Sequence, residues 1–264
     1  MKELNCREIQ ERCLEILRAF DAYAQKNGLT YYLAGGTLLG AVRHKGFIPW
    51  DDDVDLMMPR KDYEKLIHSF QHEQYRVDSC ETNSQYATPF ARIWDTHTAL
   101  QWEVVNDFPI GVFIDIFPID GYPEGDLPFQ LHVRRLKLQR AKINSAIRTK
   151  LRDDEKYHSI KKILKKVWNK SGNTYAKELN QIAQKYPYDA CNYVGVTTTT
   201  VHIFKERNPK KLYAKTVYLP FEDMQLPAPV GYDVYLKHLY GDYMQLPPED
   251  KRVTEHMFKI YQIK

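Results

Sequence analysis

The 264-residue chain has only four cysteines, and Cys6, Cys13, Cys80 and Cys191 are too scattered to make a Cys-x-x-Cys pair. That scatter argues against a zinc ribbon or a disulfide scaffold and predicts reduced, mostly buried thiols. Long hydrophobic runs are missing as well. The longest, Phe108 to Ile119, is too short to span a bilayer and carries Asp115 inside it. The first residues lack the apolar core of a signal peptide, so a cytoplasmic chain is expected. No repeat or low-complexity linker breaks the sequence. His44, His97 and His238 lie near motifs but share no ligand spacing. No serine or cysteine nucleophile signature is present, and a covalent enzyme intermediate is not expected.

What is present is unevenly charged. The net charge is only +4, yet Leu131 to Lys170 holds 14 Lys or Arg against 3 acids. The rest of the chain is therefore mildly acidic. Apolar spacing predicts a helix over 7–25 and strands over 30–34 and 53–58, with a short helix between them from Thr37 to Arg43. A helix over 60–70 and strands over 75–80, 90–94, 99–104 and 111–117 follow. Basic helices are expected from 127 to 186, where Ile160, Ile163, Leu164, Val167 and Trp168 form a core-facing stripe. A strand over 192–197 and a helix over 232–240 complete the reading. The implied fold is α/β (α+β), a mixed sheet with flanking helices plus a basic helical region. Its expected parts are a catalytic core over 1–125, the basic helices over 126–190, and a segment over 191–264 packing back on the core.

The chemistry is concentrated between Leu33 and Leu56. Gly35-Gly36 ends the first strand and lets backbone amides approach a phosphate. Thr37, Arg43 and Lys45 follow as candidate substrate contacts. Then come Asp51, Asp52, Asp53 and Asp55. Alternate residues of a strand share a face, so Asp53 and Asp55 point together, with Asp51 joining if the strand starts early. Clustered like charges suit a divalent cation, which takes one or two carboxylates plus substrate phosphates. Asp115, a lone acid in an apolar strand, supplies the further carboxylate, as metal ligand or as proton acceptor. Arg92 is a candidate phosphate donor. Asp120 is read as part of an Asp-Gly turn.

The run Leu33 to Pro59, the segment Phe113 to Gly121 and the tail Tyr240-Gly-Asp-Tyr-Met resemble the LicD family of phosphocholine transferases. The first of these is similar to the fukutin-related proteins as well. The resemblance implies a nucleotidyltransferase-like fold and transfer of phosphocholine from CDP-choline to a sugar hydroxyl of a teichoic acid precursor, releasing CMP. It carries Gly35, Gly36, Asp51, Asp53, Asp55 and Asp115 as motif residues. The implied cofactor is Mg²⁺ or Mn²⁺, bound by Asp51, Asp53, Asp55 and Asp115, and the catalytic set is Asp53, Asp55 and Asp115. A quaternary ammonium offers no hydrogen-bond donor, so an aromatic face must hold it, and Trp94 and Trp102 are the candidates. The implied acceptor is lipid-linked. The basic helices would then touch an anionic membrane surface peripherally, and no nucleic acid is expected as a partner. Alternatives are a nucleotidyltransferase acting on a small molecule, a transferase using another CDP-alcohol, and a non-catalytic binder of anionic polymers.

Overall fold

The structure is a computed structural model that describes residues 2–102, 108–148, 164, 166–199, 201–253 and 258–263. Helix α1 (Cys6–Asn27) starts at a capping box between Asn5 and Glu8 and stops at Gly28 in the left-handed region. Its Cys13, Ile16, Leu17, Phe20 and Ala24 recur at helical spacing and are fully buried. Strand β1 (Lys2–Glu3) precedes it.

After β2 (Tyr32–Leu33) come α2 (Gly35–Arg43), β3 (Asp55–Pro59), α3 (Arg60–Ser69), β4 (Tyr75–Asp78), β5 (Ala91–Asp95), β6 (Thr98–Trp102) and β7 (Phe113–Tyr122). Helices α4 (Asp126–Ile147) and α5 (Gly172–Ala183) follow, then β8 (Tyr193–Val196) and β9 (Asn208–Pro209). The hairpin β10 (Thr216–Phe221) and β11 (Met224–Pro229), helix α6 (Tyr232–Tyr240) and β12 (Phe258–Gln262) complete the order.

The main sheet runs β2-β3-β7-β5-β4, with β8 on the second half of β7 and β9 beyond it. Only β3 and β7 pair in parallel. A smaller sheet, β1-β12-β6, brings together strands far apart in sequence. Strand β7 is buried along its whole length, as expected of a strand paired on both edges. Helices α4 and α5 share a second core, in which Phe129, Val133, Leu136 and Ile143 meet Tyr175, Leu179 and Ala183. Two buried amides tie this core to the sheet side. Asn173 Nδ2 donates to the carbonyls of Cys80, Asn83 and Tyr86, and Asn180 Nδ2 donates to that of Pro89.

Several expectations need correction. Gly35-Gly36 does not interrupt a strand; it forms the first turn of α2. Asp53 precedes β3, which begins at Asp55. Asp120 is not in a turn, because β7 continues to Tyr122. The reason lies at Pro118. Pairing with β5 ends at Ile116 and pairing with β8 begins at Ile119, so the N–H that proline lacks falls between the two neighbours. Val167 is 66% exposed and faces away from the core, whereas Trp168 packs on the second core. Ile160 and Ile163 lie outside the described residues. The β10–β11 hairpin was not anticipated; its Pro220, Pro227 and Pro229 hide the strand signal.

Candidate active site

Three strands in register build the centre of the site. Asp55 pairs with Asp115 across β3 and β7, and Asp115 pairs with Arg92 across β7 and β5. Directly opposed residues project to the same face, so Arg92, Asp115 and Asp55 stand in one row. Arg92 Nε donates to Asp115 Oδ1 at 2.7 Å, and its guanidinium lies 4.1 Å from the Phe113 ring centroid. Upstream of β3 burial alternates residue by residue: Asp51, Asp53 and Asp55 are half-buried, whereas Asp52, Val54 and Leu56 are buried. The extended backbone thus turns three carboxylates to one side. Helix α1 holds that backbone. Gln10 Nε2 donates to the Asp51 carbonyl at 2.7 Å, and the Cys13 thiol donates to the carbonyls of Phe113 and Asp52 at 3.4 and 3.8 Å. Burial, then the fields of Asp53, Asp52, Asp115 and Asp51, push the Cys13 thiol well up, so it stays protonated.

The N-terminus of α2 lies against the same carboxylates. Gly35 has φ +47°, and a Cβ there would sit 2.9 Å from Asp55 Oδ2. A Cβ on Gly36 would sit 2.9 Å from Asp51 Oδ2. Any other residue at either position would strain the backbone or push a carboxylate aside. Thr37 is buried, and its hydroxyl accepts from the Asp55 amide at 2.8 Å, so it locks β3 to α2. Burial first, then Asp53, Asp115 and Asp51, push the Asp55 carboxyl well above the usual range, with Arg92 opposing. A proton or a cation relieves that repulsion.

The cleft has a volume of about 470 Å³. Gly36, Asp51, Asp53 and Asp55 line one wall, and Tyr240, Tyr243 and Lys251 line the other. Trp50 and Arg43 lie between them. Arg43 Nη1 donates to the Tyr243 carbonyl at 2.9 Å and so joins the walls. Arg252 stands 5.8 Å from the ring centroid of Trp50, a cation over an aromatic side chain that lines the cleft. Burial, then Asp55, raise the Tyr240 hydroxyl, which therefore remains a donor.

Other candidates fall elsewhere. Lys45 is exposed and turns its ammonium back to the Val42 carbonyl at 3.1 Å, outside the cleft lining. Trp94 is also outside it. Its indole donates to Asp78 Oδ2 at 2.7 Å, and it lines a separate cavity with Tyr75 and Phe108. Trp94, expected from the sequence at the choline end, thus lies outside the cleft that the carboxylates line. Trp102 is on β6, and its side chain lies outside the described residues.

Sequence reasoning missed Trp50 as a wall of the cleft, together with Tyr240, Tyr243 and Lys251. Of these, Tyr240 and Tyr243 were signalled by the tail motif. It misread Asp120 and passed over Glu206, two buried carboxyls. Asp120 receives two bonds from Arg60, at 2.8 and 2.6 Å, and one from the Thr197 hydroxyl at 2.7 Å. Glu206 accepts from the Tyr235 hydroxyl at 3.3 Å, and burial pushes its carboxyl up to about 7.

Among the described residues, no group of three or more His, Cys, Asp or Glu side chains is arranged to hold a metal ion by itself. The donor set nevertheless suits Mg²⁺ in the mode that uses one or two carboxylates and completes the shell with substrate phosphate and water. Asp115 already has a cation in Arg92, which leaves Asp51, Asp53 and Asp55 as the carboxylates for such an ion.

Comparison with known proteins agrees with the geometry. The family model for the LicD/FKTN/FKRP nucleotidyltransferase domain matches residues 28–134, which include the carboxylate row and Arg92. Lipopolysaccharide cholinephosphotransferase LicD of Haemophilus influenzae is 36% identical over 270 residues, covering 99% of both chains. Human ribitol 5-phosphate transferase FKRP is 50% identical over 48 residues, 17% of this chain and 10% of that one. Mannosyltransferase regulator 4 of Saccharomyces cerevisiae is 33% identical over 79 residues, 30% of this chain and 7% of its own. With a mixed α/β sheet, a glycine turn set against alternating aspartates and a full-length likeness of this kind, the chain belongs to the LicD family and is a phosphotransferase.

Proposed function

We propose that the protein transfers phosphocholine from CDP-choline to a hydroxyl of a cell-surface glycan. The acceptor oxygen bonds to the phosphocholine phosphorus, the P–O bond to CMP breaks, and CMP departs with the electron pair. The hydroxyl proton passes to a nearby carboxylate, a role inferred for Asp115 from its register beside Asp55. The likeness to the Haemophilus influenzae cholinephosphotransferase along its full length carries this reading, because the site geometry alone would serve any nucleotidyltransferase-like donor. Mg²⁺ or Mn²⁺ held by Asp53 and Asp55, with Asp51 beside them, would neutralise the diphosphate and steady the leaving group. Arg43 and Lys251 offer donors to the nucleotide, and the Tyr240 hydroxyl offers one to the phosphate beside Asp55. Trp50 supplies the aromatic face for the quaternary ammonium, displacing Arg252 from it.

The acceptor is a sugar of a lipid-linked surface polymer. A teichoic acid precursor is the acceptor inferred from the sequence, and lipopolysaccharide is the one named for the relative. The test is nucleotide release in the presence of Mg²⁺ with each acceptor. Acceptor-dependent CMP from CDP-choline supports the reading and ranks the acceptors. CMP from CDP-ribitol alone, or pyrophosphate from ATP, overturns it.

A further inference from the structure

Helix α4 is apolar on two opposite faces. Phe129, Val133, Leu136 and Ile143 are buried against α5. At about 100° per residue, Leu127, Leu131 and Leu138 fall within roughly 40° of one another on the opposite side. They are 67%, 49% and 52% exposed. Their crest runs roughly 17 Å along the helix axis. Among the described residues, burial of α4 against the protein explains only its first face. Leucines at the summit of a solvated face add nothing to the fold and mark a contact with something outside it.

The flanks of the crest are cationic. Arg134, Arg135 and Lys137 are exposed, and neither arginine makes an ion pair among the described residues. Lys137 Nζ lies 5.2 Å from the ring centroid of Phe204, itself 50% exposed, which widens the apolar strip on one side. Asp126, at the start of α4, is already paired with Arg207 at 3.2 Å. The surface is thus a ridge: one line of leucines with long basic side chains to either side. A ridge offers no groove for a partner helix. Pairing with a second copy about a twofold axis would bring Arg134, Arg135 and Lys137 of both copies into one interface. Anionic lipid meets both demands, because acyl boundary receives leucine and headgroup phosphate receives arginine and lysine.

We propose that the outer face of α4 seats the protein on an anionic lipid surface, with Leu127, Leu131 and Leu138 entering the headgroup boundary. This extends the peripheral contact expected of the basic segment by giving it an apolar component on a named helix face. It stands independently of the identity of the donor and acceptor.

The test is co-sedimentation of the full chain with vesicles of phosphatidylcholine plus phosphatidylglycerol, and with vesicles of phosphatidylcholine alone. Wild type binds the anionic vesicles. Raising salt weakens that binding as the Debye length falls from about 10 Å at 0.1 M to about 3 Å at 1 M. The variant Leu127→Ser/Leu131→Ser/Leu138→Ser loses roughly tenfold or more in partitioning at low salt, although its charge is unchanged. The variant Arg134→Gln/Arg135→Gln/Lys137→Gln binds weakly and with little salt dependence. Both variants keep the wild-type melting temperature and nucleotide release, because their side chains are exposed and none lines the cleft. Equal vesicle binding by wild type and the leucine variant overturns the proposal. So does a wild-type dimer that the leucine variant converts to monomer while vesicle binding is absent. If the triple leucine variant fails to fold, Leu127→Ser and Leu138→Ser are tested singly, and each must lower partitioning.

Discussion

Strand β7 carries two aspartates five positions apart, so they project to opposite faces, and each pairs with an arginine. Asp120 and Arg60 meet through two bonds, the Thr197 hydroxyl adds a third to the carboxylate, and Arg60 reaches on to Asn180 at 3.1 Å. Asp115 receives one bond, on Oδ1, from Arg92 Nε, and stands beside Asp55 at the carboxylate cleft. The first pair is saturated by the protein. The second leaves Asp115 Oδ2 without a protein hydrogen bond among the described residues, in the row that ends at Asp55. Identical residue types on one strand therefore sit in two settings: a closed pair fixes where β7, α3 and α5 meet, and an open pair stands beside the carboxylate row proposed as the reaction centre.

Replacing the open end should break activity before stability. Asp53→Asn and Asp55→Asn should each lower turnover by about a thousandfold or more, the several kcal/mol expected of metal and charge alignment. Their melting temperatures should be unchanged or higher, because each removes a like charge from the cluster. Activity near wild type in either variant would erase the distinction drawn between the two pairs.

The closed end should behave in the opposite way. Asp120→Asn leaves the Arg60 guanidinium buried without its counter-charge, a loss of about 3–5 kcal/mol. Chemical denaturation should report it, while the surviving folded fraction turns over normally. Asp115→Asn should show the reverse pattern, with turnover lost and most stability retained, because Arg92 keeps the counter-charge of Asp55 next to it.

Glu206 sharpens the contrast through pH. Its folded value of about 7 lies above the ordinary glutamate value of 4.5, so the folded state holds the proton more tightly than the unfolded chain. Its contribution is fully present below pH 4.5 and is lost as pH rises through 7, about 3 kcal/mol across that window. Glu206→Gln should flatten this slope, and wild-type and variant denaturation curves measured between pH 5 and 8 would check it. Parallel curves would show that the carboxyl titrates normally.

The smallest effect separates two tryptophans. Trp50→Ala should raise KM for CDP-choline several-fold, in keeping with a cation–π contribution of about 0.5–2 kcal/mol. Trp94→Phe removes only the bond to Asp78 and should leave KM unchanged. The opposite ranking would return the ammonium to β5.

The carboxylate row was legible in sequence because it is local. Asp51, Asp53 and Asp55 obey the two-residue period of extended chain, and the glycine pair precedes them within one supersecondary unit. Asp115 stood out as a charge in an apolar run. The cleft's far wall was harder to read, since Tyr240 and Tyr243 reach it through tertiary packing and only a motif hinted at them. Asp120 was misplaced because Pro118 and Gly121 read as strand breakers, whereas β7 changes neighbours at the proline. Trp94 was assigned by its position beside Arg92. The pleat does not reveal that β4 offers it Asp78 instead. The helix N-terminus was placed two residues late because glycine carries a low helix propensity, which close approach to two carboxylates overrides.

The bond from Arg43 to the Tyr243 carbonyl spans 200 residues of chain. During synthesis at about 5–20 residues per second, the aspartate wall leaves the ribosome roughly 10–40 s before the wall that faces it. Throughout that interval the nascent chain has its carboxylates but no cleft in which to align a nucleotide. Competence for group transfer therefore arrives late and all at once, after the sheet it depends on has had time to form.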